Sequence, residues 1–497
     1  MFQKQLSTLA LAAALGLGLV QPVAADALLR IGLQQEPTTL DPTSDATASI
    51  AGMLGQNVYE SLTTVDESGA VLPQLAESWD VSEDGLTYTF HLAEGVTFHD
   101  GTAFDAQDVK FTFDRAMGED SVNPAKRYFN VIEKVEVVDP QTVKMVLKQP
   151  DAFFLFNVAQ GSASILAPES AEDAKTAPVG TGPFRFEGWT RGDRLKLAKN
   201  DDHRDAGEVA LDRVEFRFVA DPASAAAALM AGEIDAYPGF GAPEMLPQFE
   251  ADPRFKVSVG STEGEVILAM NNSKAPFTDQ RVREAVNHAL DRDEIIEGAM
   301  YGRAVPIGSF YPPHGAGYVD LTDRWPHDTA KAKALFEEAG IAGDTLTIRV
   351  PPFAYAPRSA EIIQTELADA GIDAKVEAVE WGFWLDEVYK KQNYDMTIIA
   401  HTSPNDLGNF AKGPEYFYGY DNADYDTLWN AITVESDEAK RNALEREAQH
   451  FLADSAVMGF LFQLPKLSIV RADVTGLWGS SPVTFQPLSG VRIGSDM

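Results

Sequence analysis

LPQLAESWDVSEDGLTYTFHLAEGVTFHDGTAFDAQDVKFTFDRAM, residues 72–117, is the stretch on which the architecture turns. Along Thr87–Leu92 the side chains alternate, so Tyr88, Phe90 and Leu92 share one face of a half-buried strand. His99-Asp100-Gly101 reads as a turn, because glycine at a loop tip accepts a positive φ without steric cost. Asp105 is placed to cap a helix that carries Val109 and Phe113 inward. Strand, turn and capped helix make a packing unit. Nothing in them is arranged as a catalytic set.

Working outward, residues 131–149 read as a hairpin. Val135 and Val137 alternate, Asp139-Pro140 turns the chain, and Val143, Met145 and Leu147 alternate back. With the first stretch this makes an α+β subdomain over about 65–175, left by the small and charged run 171–178. Leu28–Leu33 reads as an earlier strand. From Val214 the pattern becomes α/β. A strand at 214–218 is followed by Asp221-Pro222, an N-cap with proline at the first helical position, and the helix stops at Gly232. Strands at 346–350, 374–379 and 395–400 alternate with helices at 358–370 and 383–389. Such repetition predicts parallel strand pairs covered by helices, with ligands at the carboxyl ends of the strands.

The N-terminus is of another kind. Lys4 precedes an apolar run over 6–20, then Pro22 and the small residues Val23, Ala24 and Ala25. That is a secretory leader, too short to span a bilayer, with removal expected after Ala25. No other apolar run approaches ~18 residues. Forty basic against 75 acidic side chains give a formal charge of −35, a field that repels phosphate backbones and anionic lipid. Neither nucleic acid nor membrane insertion is therefore expected, and the charge reads as a solvated acidic surface. There is no cysteine, hence no disulfide framework, although an oxidising compartment would permit one. The eight histidines are scattered without ligand spacing, and H-E-x-x-H, G-x-S-x-G and P-loop motifs are missing, so no metal, cofactor or catalytic residue is expected.

Taken as a string, residues 72–117 resemble the signature region of the family 5 (peptide/nickel-type) solute-binding proteins of bacterial ABC importers. Residues 178–186, PVGTGPFRF, match that family's second signature, in which Gly180 and Gly182 read as a structural turn, and residues 270–313 resemble its third. The resemblance implies an α/β fold of the periplasmic binding protein type II kind, two α/β lobes with a hinge plus an extra α+β domain. Lobe I would be discontinuous (26–64, 177–269 and 465–497), the extra domain 65–176 and lobe II 270–464, after a signal peptide at 1–25. It implies a receptor, not an enzyme, that captures a small solute between the lobes and delivers it to an ABC permease served by a separate ATPase. A di- or oligopeptide is the expected cargo, with an opine, an oligosaccharide or a nickel complex as alternatives. A secreted hydrolase or a peptide-binding chaperone are the readings from other classes. Without a cysteine at the cleavage point there is no lipid anchor of the kind that lipoprotein members carry, so a free periplasmic monomer is expected.

The resemblance also points to ligand contacts in lobe II. Residues 357–364, PRSAEIIQ, with 380–385, EWGFWL, are similar to the dipeptide-receptor branch, where an arginine at this helix start pairs with the ligand's carboxylate. That arginine is Arg358, whose planar guanidinium offers a bidentate fork. In 401–410, HTSPNDLGNF, Asp406 stands where an aspartate holds a peptide's α-ammonium. The chain departs from the family pattern here, with His401 and Ser403-Pro404-Asn405-Asp406 in place of Trp, a Gly-rich run and Asp-Pro-Asp. Trp381, His401, Asn405 and Tyr418 complete the expected set. Tyr418 lies in YFYGY at 416–420, whose rings suit sugars, opines or aromatic side chains as well as peptides. Core packing is the competing role for Trp381, Trp384 and Tyr418, and a plain helix surface for Arg358.

Overall fold

The 72–117 stretch folds as its alternation dictates. In a computed structural model describing residues 27–45, 47–402 and 404–494, Thr87–Leu92 turns Tyr88, Phe90 and Leu92 inward. It is an inner strand of a four-stranded antiparallel sheet ordered Ala76–Val81, Thr87–Leu92, Thr142–Leu147, Ile132–Asp139. Asp105 caps the Ala106–Met117 helix reciprocally. Its carboxylate accepts from the Gln107 N–H at 2.7 Å, while the Asp108 carboxylate accepts from the Asp105 N–H at 2.8 Å. The buried face of the helix sets Phe113 edge-on against Phe129 at 5.4 Å. Gly101 takes φ +89° at the turn. The expected leader at 1–25 lies outside the described residues.

Lobe I is built on a seven-stranded sheet that draws on both ends of the chain. Leu28–Leu33 runs parallel to Arg213–Phe218 and to Ala236–Pro238, and Lys466–Arg471 lies antiparallel between Ala236–Pro238 and Phe255–Gly260. Buried Asp235 stitches these segments together. It accepts from Arg30 Nε and Nη2, each at 2.9 Å, and from Arg471. A carboxylate with no exposure is tolerable here because two guanidinium groups compensate it. Asp221 caps Pro222–Met230 through the Ser224 N–H at 2.7 Å, with proline at the first helical position.

Gly180 and Gly182 form a structural turn. A Cβ on Gly180 would fall 2.0 Å from the Val58 carbonyl oxygen, and one on Gly182 2.5 Å from that of Asn57. His99, from the 72–117 stretch, clamps the same turn: its Nδ1 accepts from the Gly180 N–H at 3.3 Å and its Nε2 donates to the Gly182 carbonyl at 2.9 Å. Those roles require the neutral imidazole, and burial lowers its pKa from 6.5 to about 4. Two segments eighty residues apart in sequence thus lock the extra domain to lobe I.

Lobe II holds a six-stranded sheet ordered Val305–Pro306, Met458–Gln463, Glu265–Met270, Met396–His401, Thr345–Val350, Asp373–Ala378, with parallel pairing confined to the last three. The chain crosses between lobes at 261–264 and at 464–465. Hydrogen bonds bind the crossings to each other: Leu464 N–H to the Gly264 carbonyl, and the Gln463 side-chain amide to the Thr262 carbonyl, both at 2.7 Å. Glu265–Met270 pairs with Met396–His401 in this sheet, so the sheet begins five residues before the expected start of lobe II at 270. Two further expectations shift. The helix foreseen at 358–370 begins at Tyr355, and that at 383–389 is a Trp381–Phe383 turn running into a π-helix over Trp384–Lys390. In that wide helix Trp384 donates its indole N–H to Thr397 Oγ1 at 2.9 Å, so it is a core residue.

Candidate functional site

Between the lobes runs a groove made of cavities in series. One, of about 640 Å³, is walled by the lobe I loop at 239–243, by Phe353, Tyr355 and Arg358 of lobe II, and by the crossing at Leu464 and Pro465. Another, of about 800 Å³, lies between Phe153 and Phe156 of the extra domain and Glu265, Asn405 and Asp406 of lobe II. A smaller space of about 240 Å³ shares Thr484 with the first and Pro404 with the second. The first adjoins the carboxyl end of Thr345–Val350 through Pro352 and Phe353, and the other two adjoin the segment after Met396–His401 through Pro404, the strand ends at which α/β sheets take their ligands.

Arg358 sits in the first turn of Tyr355–Asp369, directly after the loop that ends Thr345–Val350. Its guanidinium reaches across the groove to Glu244 of lobe I, with Nη1 and Nη2 donating to the two carboxylate oxygens at 3.2 and 3.0 Å. Burial alone would raise the Glu244 carboxyl, but the Arg358 hydrogen bonds outweigh it and hold it below the usual carboxylate range. A second bidentate pair, Arg303 with Glu250 at 2.7 and 3.0 Å, also joins the lobes. Tyr355 ties this end to the other, its hydroxyl accepting from the Ala400 N–H at 2.9 Å.

Asp406 follows the Met396–His401 strand through a tight turn in which Asn405 takes the left-handed conformation, φ 62°. The Asn409 side-chain amide donates to Asp406 Oδ1 at 2.8 Å, and Lys412 in turn donates to Asn409 Oδ1. Burial lowers the Lys412 ammonium to about 8, and the group lies 4.2 Å from the centre of the Tyr416 ring. Arg127 of the extra domain faces Asp406 across a cavity of about 410 Å³. His401 Nδ1 lies 4.0 Å from Asp406 Oδ2, and its ring is boxed by Phe310, Tyr418 and Phe417 at 5.5, 5.6 and 5.8 Å. Burial first, then the charge of Lys412, lowers the His401 pKa from 6.5 to about 3. Among the described residues His401 Nε2 and the buried Tyr418 hydroxyl have no hydrogen-bond partner. In register beside His401 on the next strand stands Glu265, itself opposite Gln463.

Arg358, Asn405 and Asp406 thus line the groove, the first in a different cavity from the other two. His401 and Tyr418 belong to the aromatic wall behind Asp406. Trp381 does not line these cavities. It stacks on Trp384 at 5.0 Å and packs against Phe353 at 5.2 Å, so Phe353 is the ring that faces the cavity. Sequence reasoning missed Glu244, Arg127, Phe353 and Glu265. Only Glu265 had a local signal, a lone acid opening the otherwise apolar EVILAM run. Among the described residues no cluster of three or more His, Asp or Glu could hold a metal ion, and no helix is long and apolar enough to cross a membrane.

Residues 70–423 match the family profile of the bacterial extracellular solute-binding proteins, family 5 middle region. The chain is 32% identical over 482 residues to the glutathione-binding protein GsiB of Pectobacterium atrosepticum, covering 92% of each chain. GsiB of Escherichia coli K12 is 33% identical over 409 residues, 80% of this chain and 74% of that one. Among solved structures, the periplasmic binding protein DppA of Helicobacter pylori in complex with the peptide STSA superposes with a TM-score of 0.78 at 28% identity, covering 94% of this chain and 98% of that one. AgaA of A. tumefaciens R10 in complex with agropinic acid gives 0.79 at 26% identity, covering 95% and 99%.

Proposed function

The chain belongs to family 5 of the bacterial extracellular solute-binding proteins, and on that premise we propose how it takes its cargo. It is the solute-binding receptor of an ABC importer with the type II periplasmic binding protein fold. The cargo is a short peptide with free termini. The observation that carries this reading is the placement of opposite charges along one groove, the Arg358 guanidinium toward one end and the Asp406 carboxylate toward the other. The peptide carboxylate docks on Arg358, where Glu244 now supplies the two oxygens, so Glu244 acts as an internal stand-in that cargo must displace or join. The peptide ammonium docks on Asp406, which Asn409 and Lys412 orient, while Asn405 shapes the turn and His401 and Tyr418 back the pocket. Relatives that bind glutathione or the peptide STSA support the same cargo class.

Cargo favours the closed groove by the difference between its affinities for the closed and open forms. Two lobes with an extra domain locked to the first, hinged at the paired crossings, make the moving parts. The closed receptor, a periplasmic monomer freed of residues 1–25, hands the cargo unaltered to its permease and ATPase partners.

The deciding experiment is calorimetry and thermal shift on the chain from Asp26, using a free dipeptide, its N-acetylated form and its C-amidated form. At a hundred times its dissociation constant the free peptide should stabilise the protein by about 2.7 kcal/mol, and each block should abolish the effect. Equal binding of blocked peptides, or a response only to sugars, opines or nickel complexes, would overturn the reading.

A further inference from the structure

The mechanism above leaves Glu265 without a task. It opens the Glu265–Met270 strand, all six residues of which are buried. Its side chain is 2% exposed, lines the 800 Å³ cavity, and has no hydrogen-bond partner for Oε2 among the described residues. A buried carboxylate in that condition is costly unless a partner arrives. Neighbouring acids already have theirs. Glu263 is held by His314 Nε2 at 2.7 Å, and Glu445 accepts from the Tyr311 hydroxyl at 2.8 Å. The facing wall, Phe153, Leu155 and Phe156 of the extra domain, suits the methylene stem and π-contact of a long basic side chain.

We propose that Glu265, flanked by Asp406 and Glu263, forms a subsite for a guanidinium or ammonium group borne on the cargo, so that the receptor selects basic solutes. This rests on the groove being the cargo site, not on the cargo being a peptide. The subsite also couples binding to a proton. Burial first, then Asp406 and Glu263, raises the Glu265 carboxyl far above its usual range. The other titratable groups around it are His401 and Tyr418 on the wall behind, His314 beside Glu263, and Tyr311, Glu438, Glu445 and Arg441 lining the same cavity, with Arg441 Nε 4.0 Å from Glu445 Oε1. An entering cation therefore meets a protonated acid, which releases its proton to solvent as the ion pair forms.

The test uses dipeptides and arginine-derived opines, each matched with the counterpart that carries neutral citrulline in place of arginine. The arginine member should bind at least about tenfold tighter and release about one proton, read by calorimetry in buffers of different ionisation enthalpy. Its citrulline twin should release none. Glu265→Gln should level each pair, whereas Arg358→Ala should weaken both members alike. Equal affinities within every pair, or a preference that survives in a Glu265→Gln protein with wild-type melting temperature, would overturn the subsite. If that variant does not fold, the absence of proton release by the wild type would overturn it instead. Should opines bind and peptides fail, the cargo reading falls while the opine pair still decides this one. A panel in which no basic solute binds overturns both.

Discussion

At the Arg358 end of the groove the charges are already matched, one from each lobe; at the Asp406 end Glu265 Oε2, His401 Nε2 and the Tyr418 hydroxyl find no hydrogen-bond partner among the described residues. The first arrangement is an exposed ion pair in exchange with water, of the kind worth about 0–1 kcal/mol. The second is a set of desolvated polar atoms, of which Glu265 Oε2 lines the cavity where a ligand can complete it, while His401 Nε2 and the Tyr418 hydroxyl lie in the wall behind. Affinity should therefore be concentrated at the Asp406 end, while the Arg358 end contributes to closure and orientation.

The sharpest way to break that contrast is Asp406→Ala, which should cost about a hundredfold in cargo affinity, near 3 kcal/mol, because truncation strands a buried charge partner. Calorimetry showing a loss below threefold would end the comparison. Stability against pH separates the two ends next. His401 stays neutral in the folded protein down to about 3 but takes up a proton near 6.5 when unfolded. Its contribution is thus present above pH 6.5 and falls away as the pH drops, by about 3 kcal/mol at pH 4. Glu366, raised to about 8 by burial first, pulls the opposite way, so the quantity to measure is wild type minus His401→Asn in urea titrations. Parallel profiles would show that His401 is not held neutral.

Arg358→Ala should weaken cargo binding about tenfold, roughly 1.4 kcal/mol, since only one charge-assisted fork is lost from a partly solvated site. Glu244→Gln should move the other way, tightening binding about threefold by removing the carboxylate that competes for Arg358. Weaker binding in that variant would mean Glu244 holds cargo itself. The smallest effect belongs to Trp381→Ala: affinity within about twofold of wild type, with a loss of about 1 kcal/mol in unfolding free energy from the broken stack on Trp384.

Local chemistry made much of the scaffold legible. Asp105 and Asp221 cap the helices they were expected to cap, and the 87–92 alternation buries the expected face. The change of sheet between 255–260 and 265–270 leaves no mark in the sequence, because both are strands and only 261–264, a run with no proline, separates them. Arg358 and Asp406 were expected only through the family resemblance, and each lies on a helical segment that follows a strand end. Glu244 and Arg127 could not be named, since they reach the groove from segments distant in sequence and carry no local pattern that distinguishes them from a solvated surface. For Trp381 the sequence could not say which ring of the aromatic stack faces the cavity, because an aromatic run gives no clue to which ring is outermost.

The imidazole of His99 has a bearing on how the jaws part. It fastens the Gly180–Gly182 backbone from the opposite side of a domain boundary and so ties the four-stranded sheet to the seven-stranded sheet. On the proposed receptor reading, release of cargo is expected to be a swing of lobe II about the two crossings, in which Arg127 and Phe153 recede from Asp406 in the same stroke that separates Arg358 from Glu244.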